Sequence, residues 1–273
     1  MWGLITLNAQ ERETAPVTLE KISESVYQLT GGSGANGGFI VGDNGVMVVD
    51  AKMDETSVNQ CLELIGEVTD LPIRYLVNTH SDGDHIIGNR YFPASVTVVS
   101  HENCREDFFK ENFGRESDWG DPENYPFVPS ITFTDQMNLW LGEELVELRY
   151  FGRGHTTGDI VVYVPGDKVA FMGDLYFDTR PQLIHSNKNG NSFEYVRTIN
   201  LMLESLPATT FLSGHSDPAS RSDLEAHLLQ MVEKQEKVMK LMEHGENLEE
   251  ILAEFQEDES RLVTSIYQEL TNE

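Results

Sequence analysis

Four short apolar runs in this chain stop on a histidine or an aspartate. Ile73–Val77 leads into Asn78-Thr79-His80-Ser81-Asp82-Gly83-Asp84-His85. Residues 144–151 lead into Gly152-Arg153-Gly154-His155-Thr156-Thr157-Gly158-Asp159, residues 168–172 into Gly173-Asp174, and residues 209–212 into Ser213-Gly214-His215. The runs have the length and residue types of strands. Taken singly each ending is weak, because Asp, Ser and Gly favour turns for reasons of their own. Together they are informative: loops on one edge of a β scaffold can converge and build a site. The first segment is the densest, with His80, Asp82, Asp84 and His85 offering imidazole and carboxylate donors suited to zinc, iron or manganese. Gly83 lets that loop turn tightly.

The rest of the chain reads as a scaffold for those endings. Strands are expected at 19–22, 26–29, 39–41, 46–49 and 96–99, with a hairpin signal at Gly42-Asp43-Asn44-Gly45. Helices are expected at 55–66, 86–91 and 101–112. Strands at 131–134, 137–141, 144–151, 159–164 and 168–172 follow, then a helix at 192–205 and a strand at 209–212. Residues 220–271 read as helical with a break at Gly245, since Leu224, Leu228, Met231 and Val238 keep a helical apolar period. Two similar halves of mixed strands with outer helices imply two packed sheets sandwiched between helices.

Composition excludes some partners. Lys and Arg total 19 against 46 Asp and Glu, a formal charge of −27. A polyanion of that kind repels nucleic acid and anionic membrane surfaces. No apolar run approaches the ~20 residues of a membrane span. Cys61 and Cys104 are too few for a disulfide framework or a thiolate metal cage, and Cys61 reads as a small core hydrophobe on a helix. Residues 1–16 read as a leader: either a shortened or remnant export signal, or a loosely docked segment. The first reading places the protein in the periplasm or outside the cell, the second in the cytoplasm.

In this order, H-x-D-x-D-H at 80–85, G-H-T-T-G-D at 154–159, G-D at 173–174 and G-H at 214–215, with V-M-V-V-D-A at 46–51, resemble the metallo-β-lactamase superfamily. The resemblance spans residues 19–220. It implies an α+β fold, the four-layer αβ/βα sandwich of two mixed β-sheets flanked by helices, formed by one domain over 17–273. It also implies a dinuclear metal-dependent hydrolase. His80, Asp82 and His155 would bind one divalent ion, Asp84, His85 and His215 a second, and Asp174 would bridge them. Two zinc ions are the expectation, with iron or manganese as alternatives. A metal-bridging hydroxide would attack the carbonyl of a small ester, lactone, thioester or amide, and Asp84 would act as the catalytic carboxylate that orients water and shuttles its proton.

One departure matters. The superfamily's usual first motif is H-x-H-x-D-H, and its second histidine is Asp82 here. The change adds a negative charge and shifts preference toward harder ions; either Asp82 ligates or the first ion is weak. Asp82→His is expected to be tolerated. Aspartate at 174 resembles the pattern of lactonases and general hydrolases, not the cysteine or serine frequent in the narrow β-lactamases. Substrate walls are expected from loops 31–38, 113–130 and 175–191, with Trp119, Tyr125, Phe127, Tyr176, Phe177 and His185 against a small-molecule substrate. Arg180 is a candidate for an anionic group, and Lys188 reads as a solvated surface residue. Asp50, Thr156 and Thr157 are candidates for orienting ligands. His101, His227 and His244 read as structural. The alternatives are a mononuclear iron oxygenase acting on a thiol or persulfide, a β-lactam hydrolase, and a degenerate binding module. Oligomeric state is not specified by any of these features.

Overall fold

The structure, a computed structural model, describes residues 15–111 and 114–271. The leader expected over 1–16 lies almost wholly outside them. The first sheet contains β1 (Thr18–Lys21), β2 (Val26–Thr30), β3 (Gly37–Val41), β4 (Val46–Val49), β5 (Ile73–Val77), β6 (Thr97–His101) and β7 (Ile131–Phe133), in that spatial order. Neighbours are antiparallel up to β4 and parallel from β4 to β7. The second sheet runs β12 (Thr210–Ser213), β11 (Val169–Gly173), β10 (Ile160–Val164), β9 (Glu144–Tyr150), β8 (Gln136–Leu141), with only β11–β12 parallel. Helices are α1 (Glu55–Val68), α2 (Gly83–Ile86), α3 (Glu102–Asp107), α4 (Ser192–Ser205), α5 (Arg221–Glu243), α6 (Leu248–Leu252) and α7 (Ser260–Thr271).

The central strands are apolar at every position because both faces are covered. In β4, Met47 and Val49 face the second sheet, while Val46 and Val48 face α1 with Val58, Cys61 and Ile65. In β10, Ile160, Val162 and Val164 face the first sheet, while Val161 and Tyr163 meet the packing of α4, α5 and α7. Three apolar seams thus separate four layers, the expected αβ/βα sandwich.

Several expectations change. The two halves are not matched: β7 pairs in parallel with β6 and joins the first sheet, because its three residues connect forward by a tight turn but hydrogen-bond backward to Val99–His101. The expected helix at 86–91 starts earlier, as one turn at Gly83–Ile86 followed by a 3₁₀ stretch at Ile87–Tyr91. The helix expected at 101–112 ends at Asp107. The break at Gly245 is present, with φ +86°, and a second interruption separates α6 from α7. Cys61 and Cys104 are both free and buried, on α1 and α3. Among the described residues no helix is long and apolar enough to cross a membrane.

Candidate metal centre

The four strand endings meet. β5 delivers the 78–85 segment, the β9–β10 turn delivers His155, β11 ends before Asp174, and β12 ends before His215. Asn78 anchors the first loop through paired amide hydrogen bonds with Asn89 at 3.0 and 2.8 Å. Close approach demands glycine at two points. A Cβ on Gly173 (φ +52°) would lie 2.5 Å from Thr79 Oγ1, and one on Gly214 would lie 2.4 Å from Asp174 Oδ1.

Donor atoms of His80, Asp82, His155 and Asp174 all lie within 4.8 Å of one another, as do those of Asp84, His85 and His215. Asp174 sits between the two groups. Its Oδ1 is 3.1 Å from His85 Nε2, and its Oδ2 is 3.3 Å from His215 Nε2, 3.8 Å from His155 Nε2 and 3.9 Å from His80 Nε2. Asp84 Oδ2 lies 3.0 Å from His215 Nε2.

Three imidazoles are oriented from behind. His85 Nδ1 donates to Asp50 Oδ2 at 2.8 Å, and His155 Nδ1 donates to the Leu183 carbonyl at 2.8 Å. The Thr79 hydroxyl donates to Asp50 Oδ2 at 2.8 Å, so it accepts from His80 Nδ1 at 3.1 Å. With each Nδ1 carrying the proton, each Nε2 turns its lone pair to the centre. Asp50, in the left-handed region at φ 60°, is held there by these bonds and by one from the Thr79 amide at 2.8 Å. His80 Nε2, His85 Nε2 and Asp174 Oδ1 are buried and have no protein hydrogen-bond partner. Orphaned buried donors and acceptors are costly, and nitrogen and carboxylate oxygen are the donor types divalent cations take. The residues fit a metal centre.

The electrostatics agree. Burial is the largest influence and opposes charge throughout, yet the carboxylates override it. Asp82 raises His155 to about 9, and hydrogen bonds to Asp174 and Asp84 raise His215 to about 9. Asp84, also against desolvation, is lowered to about 2 by its bond to His215. Asp82 and Asp174 fall well below the ordinary carboxylate range beside His155 and His85 respectively. A field that holds protons on imidazoles attracts a metal cation equally.

A cavity of about 770 Å³ opens beside the cluster, its wall including Met53, Asp84, Ile87, Arg90, Phe108 and Trp119. Trp119 packs on Phe108 at 4.9 Å, and the Arg90 guanidinium lies 4.6 Å above its ring. The 31–38 loop docks nearby, with Asn36 N donating to Gly214 O at 2.6 Å, and buried Lys52 ties it down through the Gly31 and Ala35 carbonyls, both at 2.7 Å. Phe177 stacks on His215 at 5.6 Å.

Not every wall residue is there. Tyr125 is 52% exposed and does not line the cavity. Phe127 packs in the small core of Ile86, Cys104, Phe108, Trp119 and Val128. Tyr176 faces a second cavity against α5, beside His227. His185 turns to Asp82, with Nε2 2.9 Å from Oδ2. The reading of Lys188 as solvated is wrong: it is 6% exposed and its Nζ lies 2.6 Å from Asp82 Oδ1. Its apolar stem reaches inward from a polar loop, a placement visible in the sequence only as an unpaired extra carboxylate at position 82. Thr156 braces the His155 turn through Asp159 Oδ1 at 2.5 Å. His101 is structural: its Nε2 donates to the Thr134 carbonyl at 2.9 Å, and its Nδ1 accepts from the Asn103 amide at 3.1 Å.

An αβ/βα sandwich with a histidine–aspartate cluster at the edges of both sheets defines a class of metal-dependent hydrolases. The sequence profile of the metallo-beta-lactamase superfamily matches residues 30–215, and the chain belongs to that superfamily. The metallo-beta-lactamase type 2 of Elizabethkingia meningoseptica is 25% identical over 218 residues, 71% of this chain and 82% of that protein. The protein of the same name from Bacteroides fragilis is 24% identical over 225 residues, covering 79% and 85%. A solved metallo-beta-lactamase from Pontibacter korlensis shares the fold, with TM-score 0.66, 22% identity, and coverage of 79% of this chain and 98% of that one.

Proposed function

We propose that residues 17–273 act as one domain, a dinuclear zinc-dependent hydrolase of a small ester, lactone, thioester or amide. The observation that carries this is the shared position of Asp174 between two donor groups whose buried atoms lack other partners. His80, Asp82 and His155 would hold one ion, Asp84, His85 and His215 the other, with Asp174 common to both. When bound, such a pair supplies Lewis acidity and makes water available as a nucleophile near neutral pH.

The chain's own residues supply the rest. Asp84 is half-open to the cavity, 29% exposed at its side chain, and is positioned to take the proton of the attacking water. As the carbonyl carbon gains its bond to water oxygen, the bond to the leaving oxygen, sulfur or nitrogen breaks, and Asp84 returns the proton to that atom. Asp50 and Thr79 keep His80 and His85 in the required tautomer. Met53, Ile87 and Trp119 give the acyl group an apolar wall, which excludes bulk water.

β-Lactam hydrolysis is the second reading, favoured by the names of the relatives. Metal analysis together with a panel of lactone, thioester, aryl ester and β-lactam substrates tests both. Two zinc ions per chain with turnover of an ester or lactone supports the first reading. Turnover confined to β-lactams supports the second. One iron per chain with oxygen consumption overturns both.

A further inference from the structure

Asp82 is the residue at which this chain departs from its superfamily, and the structure surrounds it unusually well. Its Oδ2 lies 2.9 Å from His185 Nε2, 3.1 Å from His155 Nε2 and 3.7 Å from His80 Nε2. Its Oδ1 faces Lys188 Nζ at 2.6 Å, and that ammonium also donates to the Ser81 carbonyl at 2.8 Å. His185 and Lys188 belong to one short segment between Asp174 and α4. The segment is fixed to the site by backbone hydrogen bonds: His185 N to His155 O at 2.9 Å, and Thr157 N to Lys188 O at 3.1 Å. A Cβ at Gly190, which follows, would meet the His155 carbonyl at 2.2 Å, so the chain can return this closely only with glycine there.

We infer that His185 is a further ligand of the metal ion held by His80, Asp82 and His155, and that Lys188 is the positioning residue that fixes Asp82. This rests on the dinuclear reading above. Around a four- or five-coordinate ion with bonds of about 2.0–2.2 Å, neighbouring donor atoms stand roughly 2.8–3.6 Å apart. The nitrogen-to-Oδ2 separations of His185 and His155, 2.9 and 3.1 Å, fall in that range, and that of His80, 3.7 Å, lies at its edge. Asp174, shared by both groups, leans to the other one, at 3.1 and 3.3 Å against 3.8 and 3.9 Å. The first ion is thus left with one remote ligand and room for a further donor, and His185 supplies a third imidazole beside those of His80 and His155. Charge closes the argument. A neutral histidine is replaced by an aspartate, and the Lys188 ammonium cancels the added charge, so the pair is neutral as the histidine was. The displaced imidazole and the balancing charge come from one loop.

The test uses the full chain loaded with cobalt(II). In the unaltered protein, nitrogen-detected histidine spectra should show five imidazoles shifted by metal: His80, His85, His155, His215 and His185. His185→Ala should lower affinity for one of two ions by more than about 100-fold, beyond the roughly 10–100-fold typical of an outer-shell partner, and alter the visible cobalt bands. Lys188→Met should weaken the same ion within that 10–100-fold range while the cobalt bands persist, and Lys188→Arg should recover most of the loss. Four shifted imidazoles, or a folded His185→Ala protein with unchanged cobalt affinity and bands, overturns the assignment and leaves the dinuclear reading intact. An unaltered chain that binds no cobalt overturns both.

Discussion

The two donor groups of the candidate centre differ in exposure. In the first, His80 and His155 are buried, Asp82 is 13% exposed at its side chain, and the 185–188 segment roofs the group. In the second, His85 is buried, but Asp84 and His215 stand 29% and 27% exposed and face the cavity and Phe177. The buried half has the more unusual donor set and a lysine to balance it; the open half keeps the residues the superfamily motif leads one to expect. A carboxylate can be exchanged for an imidazole inside the protein only where a counter-charge is brought in with it, whereas an open site lets solvent do that work.

That contrast can be broken most completely at Asp174. Asp174→Ala should remove both ions and abolish turnover, read by metal content beside kcat/KM; loss of one ion only would assign Asp174 to one half. Next, Asp84→Asn should lower kcat by about 10²–10⁴-fold and weaken the ion assigned to Asp84, His85 and His215, read by kcat beside metal content, since this residue is assigned both proton transfer and ligation. For the buried half the expectation from sequence is revised. Asp82→His alone strands Lys188 and should destabilise the metal-free protein by about 3 kcal/mol. Adding Lys188→Met should restore most of that loss, a non-additivity that a double-mutant cycle in urea measures.

Metal-free protein should also respond to pH. His155 and His215 are raised to about 9 from 6.5, so their contribution to stability is fully present below pH 6.5 and lost as pH rises through 9. Asp84, lowered to about 2, adds stability above its ordinary pKa of 3.8 that is lost as pH falls through 2. The urea midpoint after chelation should therefore fall between pH 6.5 and 9, while the gain on adding zinc grows over the same range, because protons and metal compete. The smallest effect belongs to Tyr125→Ala. At 52% exposure and away from the cavity, it should change stability by less than about 0.5 kcal/mol and leave KM unmoved.

Much of the centre was legible because it is local. The endings of β5, the β9–β10 turn, β11 and β12 carried His80, His155, Asp174 and His215, and α4 matched its expected bounds of 192–205. Strand length, turn chemistry and helical period are written within a few residues of where they act. Trp119 lines the cavity and Phe177 stacks on His215, whereas Tyr125 and Tyr176 turn elsewhere, because an aromatic in a long loop packs wherever its loop folds.

By itself, the sequence determined that two mixed sheets lie between helices and that seven imidazole and carboxylate groups lie in the segments that follow four strands. Apolar runs buried on both faces permit little else. Tertiary structure alone decided that Ile131–Phe133 joins the first sheet, that Lys188 turns inward, and that His185 meets Asp82. Those outcomes depend on which distant segments share a boundary. Lys188 and Asp82 are far apart in sequence, and only the packing of the 185–188 segment over His155 brings the lysine's charge to the aspartate it balances.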